Sequence, residues 1–457
     1  MKYLLSSFLF LAVLTCTGIT NAQTPNECAN TFWGSSTPYS YVHVVYTPTP
    51  SEYVPVFINY IGAAGASHLH KDVTTTYTYA LFQKADSAHA IKPDGIALRK
   101  MLMLIQNIEK PNLDKLTHSG IDELHDIGAR MISSNGNVFL RPCQKISLIN
   151  EDKMIKSAEA LFAGLDRKID APECDKIDYK DDDNLRPQTV SKALNDYIEK
   201  GDWKDEGESV LDAKRPKNFT DRFLNRFFEK TFLEDVDEDL KNKFIVDMYN
   251  ISLVTGSITS EISKAGYTWD EVNLRSYFSC NELEMFSMMS AAEAYYKSGP
   301  GDDKQGIQVK SSVPLLLNFI NTTDAYSLNK AVAADIRITT PEVIASFAAL
   351  MNLNDVNKAS ADVTKFDRNW KVEEVIPTSG NIQWILYQGI SADTRTTYLV
   401  KFLLNEKEIG IDGLKAYKFP YYKWDDVKEY YQKKMTEDWD VEKLNDNMHT
   451  YLLNLKN

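Results

Sequence analysis

The sequence has 457 residues, 43% of them hydrophobic and 25% charged, with 64 Asp and Glu against 51 Lys and Arg for a formal net charge of −13. That acidity argues against nucleic acid and anionic membrane as partners, although it leaves room for a local basic pocket. The length suits one large domain with an insert, or two domains.

Met1-Lys2-Tyr3 is a short basic start, residues 4–13 are an apolar run, and Asn21-Ala22-Gln23 reads as a cleavage site after Ala22. This predicts a secretory signal peptide over residues 1–22, hence export to the periplasm, the cell surface or the medium. Cys16 follows Val13-Leu14-Thr15, a poor fit to a lipoprotein signal, so lipid anchoring there is not expected. No later stretch is long and apolar enough to span a bilayer. The mature chain keeps Cys28, Cys143, Cys174 and Cys280, which permit three disulfide pairings. Their wide spacing does not suit zinc, and no metal or other cofactor is implied.

Residues 23–52 read as an extended segment, with a strand or sheet-edge piece over residues 41–46 and His43 in a structural role. Six of the eight residues from Val54 to Ile61 are Val, Phe, Ile or Tyr, without alternation of polar and apolar, which predicts a strand buried on both faces. The small residues Gly62-Ala63-Ala64-Gly65-Ala66 follow. Such a loop lets the backbone approach a ligand at the carboxyl end of a sheet. Residues 98–109 and 116–131 read as helices. Thr117 or Ser119 can cap the second, and Ile121, Leu124, Ile127 and Met131 line one face. Residues 138–141 read as a short strand. Residues 153–165 read as a helix with Ile155, Ala158, Leu161, Phe162 and Leu165 on its apolar face.

From Asp166 to about Gly299 the pattern is helical and charged, with almost no strand signal. This predicts a helical cap (166–299) inserted into an α/β core made of residues 23–165 and 300–457. Asp181-Asp182-Asp183 reads as solvated loop. Residues 334–338 read as a strand. Thr340-Pro341-Glu342 opens a helix to about Leu353, with Thr at the cap, Pro at the first helical position and Glu in the first turn. Strands at residues 382–387 and 397–404 follow.

The order of these pieces resembles the histidine acid phosphatases, and within them the multiple inositol polyphosphate phosphatases and their bacterial relatives. The resemblance rests on Leu116-Thr117-x-x-Gly120-x-x-Glu123-x-x-x-x-Gly128-x-Arg130 and Ser157-Ala158-Glu159-Ala160-Leu161-x-x-Gly164-Leu165. It rests also on Leu185-Arg186-Pro187, Phe278-x-Cys280, Tyr295-Tyr296-x-x-Gly299-Pro300-Gly301, Asn381-Ile382-Gln383, Leu404-Asn405-Glu406 and Tyr421-Tyr422-Lys423-Trp424. It spans nearly the whole mature chain and implies an α/β core sheet flanked by helices, an inserted helical cap, and hydrolysis of phosphomonoesters such as inositol phosphates.

The catalytic motifs depart from the family pattern. There, the first strand ends in an Arg-His-Gly-x-Arg loop whose His attacks phosphorus and whose arginines hold the phosphoryl oxygens. In this sequence Ala63 stands at the first Arg, Ala64 at the nucleophile and Ser67 at the second Arg. Lys153 stands at a third Arg, keeping the charge without the bidentate fork. Thr340-Pro341-Glu342 stands at the family's His-Ala-Glu, so Thr340 replaces a His while Glu342 keeps the proton-donor position.

Alanine forms no covalent phosphoryl intermediate. Losing the arginines and histidines removes most of the charge that stabilises a transferring phosphoryl group. Nucleophile loss costs on the order of 10⁴ to 10⁶ in turnover, against about 10² to 10⁴ from a lone general acid. Three readings follow. The first, favoured by the residues, is a pseudo-phosphatase that holds a small phosphorylated or anionic ligand. Thr340, Ser67 and Lys153 would assist the amino end of the helix that starts at Pro341. The second is an active phosphatase with rearranged residues, for which His68, His70 and Lys71 are the nearby candidates. The third is a different chemistry in the same cleft, for which the sequence offers no catalytic constellation.

Overall fold

The computed structural model describes residues 30–140, 144–148, 151–165, 175–178, 182–303, 306–330, 332–439 and 448–456, together with Cys28 and Val441. The expected signal peptide, Cys16, Cys143, Cys174, Arg141 and Asp181 lie outside the described residues.

The central strand is β1 (Tyr53–Ala63), and its last eight residues are all buried. Its apolar side chains on both faces need cover on both sides, and helices supply it. The strands β2 (Gln144–Leu148), β3 (Asp175–Asp178), β4 (Ala334–Thr339), β5 (Asn381–Gly389), β6 (Tyr398–Leu404), β7 (Lys407–Ile409) and β8 (Tyr421–Lys423) complete an eight-stranded sheet. Its order is β3-β2-β4-β1-β5-β6-β7, with β8 paired to β6. β3, β2, β4 and β1 run parallel, and the strands beyond β1 run antiparallel. The carboxyl ends of β1, β2 and β4 therefore share one edge of the sheet with the start of β5 and the end of β6. Ligands of α/β sheets bind at such an edge.

The expected helices form at Pro93–Glu109, His118–Ser134, Asp152–Gly164 and Pro341–Leu350. Thr117 caps the second by accepting from the Gly120 amide. Leu124, Ile127 and Met131 are buried as expected, whereas Ile121 is 39% exposed. Four readings of the residues change. Val138–Leu140 is a 3-10 turn, and the strand lies at Gln144–Leu148. Asp175–Asp178 joins the sheet inside the stretch that reads as helical. Residues 41–46 have no regular structure, and His43 is exposed.

One apolar core surrounds the sheet, with Trp384 packed edge-on to Phe319 and Phe402. A second unites Phe82, Leu98 and Ile105 with Phe223, Phe244, Phe278 and Phe286. Cys28 is bonded to Cys280, the first residue of the helix Cys280–Ser298, across 252 residues of chain. Closing so long a loop removes much unfolded-state entropy. Cys28→Ser with Cys280→Ser is expected to cost about 2–5 kcal/mol, read as a lower denaturant midpoint than that of the oxidised parent. Among the described residues no helix is long and apolar enough to cross a membrane.

Candidate functional site

The loop after β1 is held by its own backbone. The Ala63 amide donates to the Gly380 carbonyl at 2.8 Å, the Ala64 amide to Thr339 at 3.1 Å, and the Ser379 amide to the Ala64 carbonyl at 3.4 Å. Ala63 sits in register with Thr339. The fold thus sets Ala63 and Ala64 directly beside Thr340, the residue that caps the helix Pro341–Leu350. Gly65 and Gly120 bring this loop against the first turn of the helix His118–Ser134. A Cβ on either would strike backbone of the other segment.

The two remaining positions that the resemblance sets on the substrate side take different places. Ser67 is half-buried, and its hydroxyl donates to the Gly65 carbonyl at 3.2 Å. Lys153 is half-buried in the first turn of the helix that follows β2, on the same edge of the sheet. Glu342 is exposed in the first turn of its helix. The Thr340 hydroxyl makes no capping bond there, so the first-turn amides keep donors to offer.

Arg186 belongs with this group, although reading the residues singled it out only within Leu185-Arg186-Pro187. The Thr339 hydroxyl donates to the Leu185 carbonyl at 2.8 Å, and an Arg186 amino group lies 3.8 Å from Glu151, two residues before Lys153. The motif itself was the available signal.

Two carboxylates hold this edge together. Glu123 accepts from the Tyr39 amide at 3.0 Å, the Thr378 hydroxyl at 2.9 Å and the Ser379 hydroxyl at 2.7 Å. The Ala66 amide also points to it. Burial nevertheless pushes the Glu123 carboxyl above its ordinary range, outweighing those four donors. The folded protein thus binds this proton more tightly than the unfolded chain does. The group's contribution to stability is greatest below the usual glutamate value of about 4.3 and falls as pH rises through the raised one. Glu123→Gln is expected to flatten that decline, seen as urea midpoints that vary less across the acid range than those of the parent.

Glu406 is the second carboxylate. It takes the Arg130 guanidinium at 3.0 and 2.8 Å and the Tyr39 hydroxyl at 2.9 Å, while Arg130 lies 4.3 Å over the Tyr41 ring. The Asn381 side chain donates to the same Tyr39 hydroxyl at 3.1 Å. Glu123, Arg130, Asn381 and Glu406, all in motifs of the resemblance, therefore act here as scaffold.

The candidates for a relocated nucleophile are poorly set for phosphoryl chemistry. His68 is 4% exposed, with Nδ1 3.0 Å from Glu109 Oε1 and Nε2 3.7 Å from Glu261 Oε1. A carboxylate facing Nε2 repels an approaching phosphate. His70 is exposed and paired with Asp114, and Lys71 is exposed. Two cavities of about 540 and 470 Å³ open elsewhere, and neither is lined by Ala63, Ala64, Ser67, Thr340 or Glu342. Among the described residues no cluster of His, Cys, Asp or Glu is arranged to hold a metal.

No protein-family model matches the sequence, and no curated protein matches it. Solved structures do match. The multiple inositol polyphosphate phosphatase of Bifidobacterium longum in complex with inositol hexasulfate superposes with a TM-score of 0.72 at 19% identity, over 87% of this chain and 96% of that one. The same protein in complex with phosphate gives 0.73 at 17% identity, over 91% and 99%. The phytase of D. castellii gives 0.62 at 12% identity, over 90% and 86%. Identities this low carry the fold and no more. The chain has the histidine acid phosphatase fold, an α/β sheet flanked by helices, in a form similar to that of the Bifidobacterium longum multiple inositol polyphosphate phosphatase.

Proposed function

We propose that this is an exported pseudo-phosphatase that holds a small phosphorylated or other anionic ligand at the carboxyl edge of its sheet. The observation that carries the reading is the methyl side chain of Ala64, set beside the uncapped start of the helix Pro341–Leu350 where a nucleophile would stand. A helix start offers amides and a positive dipole end to an anion without any side-chain cation. Lys153 and Arg186 supply the cations on this edge, Thr340 and Ser67 supply hydroxyls, and the helices between β3 and Gly299 serve as the cap. The structures of the Bifidobacterium longum protein with phosphate and inositol hexasulfate motivate the ligand class.

Calorimetric titration with inositol hexakisphosphate is expected to show saturable heat. Arg186→Ala or Lys153→Ala should each weaken it by about tenfold, the size of one charge-assisted contact. Absence of heat at millimolar ligand, or indifference to both substitutions, would remove this reading. The alternative, a phosphatase working through a rearranged nucleophile, predicts turnover of para-nitrophenyl phosphate that is lost in His68→Asn.

A further inference from the structure

We propose that His68 is a pH-operated clamp that fastens the helix Thr259–Lys264 to the loop after β1. His68 stands in that loop, is 4% exposed, and donates its own amide to the Lys115 carbonyl at 2.9 Å. Two carboxylates from two other elements take the two sides of its ring. Glu109, the last residue of the helix Pro93–Glu109, lies with Oε1 3.0 Å from Nδ1, while its Oε2 accepts from the Leu69 amide at 2.7 Å. Glu261, in the helix Thr259–Lys264, lies with Oε1 3.7 Å from Nε2, an ion-pair distance.

The charge of the ring decides what this arrangement does. A protonated ring carries an N–H on both sides and a positive charge, so it attracts both carboxylates at once. A neutral ring carries one N–H. Whichever nitrogen holds it, the other turns a lone pair towards an ionised carboxylate, and the two glutamates lose the charge between them. Glu109 has no room to give way, because its side chain is fully buried and bonded to the Leu69 amide. The Glu261 side chain is 15% exposed and is the one to yield. The other charged or titratable groups close to the ring are Lys264 and His118, which line the same groove of about 470 Å³. His118 lies 3.9 Å from Asp122, and the exposed pair His70–Asp114 sits two residues along the loop.

The helix itself is held unequally. Ile258 and Ile262 are buried and fix its inner side. Its outer side is fixed through Glu261, whose Oε1 also accepts from the His118 amide at 2.8 Å and whose Oε2 has no hydrogen-bond partner. That carboxylate therefore depends on the ring's charge and on one amide. Just beyond the helix, Gly266 has a φ of 79° and open space around it. Loss of the ring's charge should loosen residues 261–265 while the inner side stays seated.

The test uses the full chain with ¹⁵N-labelled histidine. The ring shifts of His68, assigned through its own backbone, report its charge between about pH 5 and about pH 9. Hydrogen exchange of the amides of residues 261–265, corrected for the intrinsic pH dependence of exchange, is read on the same protein. Protection of that segment should fall at least tenfold as pH rises, with the midpoint of the ring titration, while the helix Pro93–Glu109 keeps its protection. Glu261→Gln removes the charge that the ring answers and should make the segment's protection independent of pH. A ring that keeps one charge state throughout, protection that stays constant or falls at another pH, or an unchanged pH dependence in Glu261→Gln would overturn the proposal. Should that variant not fold, the two midpoints of the parent decide alone: coincidence supports the clamp, and separation overturns it.

Discussion

Installing Ala63→Arg, Ala64→His, Ser67→Arg and Thr340→His together should turn the proposed pseudo-phosphatase into a protein that hydrolyses para-nitrophenyl phosphate and inositol hexakisphosphate. The gap between restored and natural chain should be on the order of 10⁴-fold or more, the range that nucleophile loss covers elsewhere. The geometry allows this because residues 63 and 64 already lie beside residue 340 through the Ala64–Thr339 backbone bond. The obstacle is room. Ala63 is fully buried and Ala64 nearly so, and overpacking of this kind costs about 1–3 kcal/mol. The thermal midpoint of the variant must therefore be measured beside its activity. A folded, silent variant would place the lost chemistry somewhere other than this edge. Turnover by the natural chain, absent from an unrelated protein prepared alongside, would overturn the pseudo-phosphatase reading.

Glu406→Ala should be among the most destabilising single substitutions in the molecule, at about 3–5 kcal/mol. The side chain is 3% exposed, and removing it strands the Arg130 guanidinium and the Tyr39 hydroxyl in a largely dry setting. Backbone adds to the cost. Asn405 and Glu406 have φ of 49° and 61°, forming the two-residue turn between β6 and β7. Glycine suits both positions of such a turn better than glutamate does. Glu406 is kept there by its ion pair against a local preference of about 1 kcal/mol. Glu406→Gly should accordingly lose less stability than Glu406→Ala by roughly that amount. Urea midpoints of both variants test the order, and the reverse order would mean that the left-handed backbone at position 406 carries no such preference. Pairing Glu406→Ala with Arg130→Met should cost less than the sum of the two single changes, since each alone leaves a partner stranded.

Some of this was legible in the residues alone. The mainly apolar, non-alternating stretch from Val54 to Ile61 announced a strand covered on both faces, because both faces carry apolar side chains. Thr117 and Thr340-Pro341-Glu342 announced helix starts, because capping is settled within a few residues. The alanine at position 64 announced that no covalent phosphoryl intermediate forms there, whatever surrounds it. β2 and β3 were not legible. Gln144–Leu148 and Asp175–Asp178 are short and largely polar, and only pairing with β4 and with each other makes them strands.

The rest was decided by topology. Glu123 meets Tyr39 across 84 residues, Arg130 meets Glu406 across 276, and Cys28 meets Cys280 across 252. Nothing in a local window marks those glutamates as scaffold, and the four cysteines beyond residue 22 leave three pairings open. The charge around His68 is likewise invisible in its own neighbourhood, since Glu109 and Glu261 arrive from separate helices. Sequence determined which side chains each element buries and which chemistry position 64 lacks. Tertiary structure alone decided which distant groups neutralise one another, because electrostatic and hydrogen-bond partners are set by where the chain returns in space.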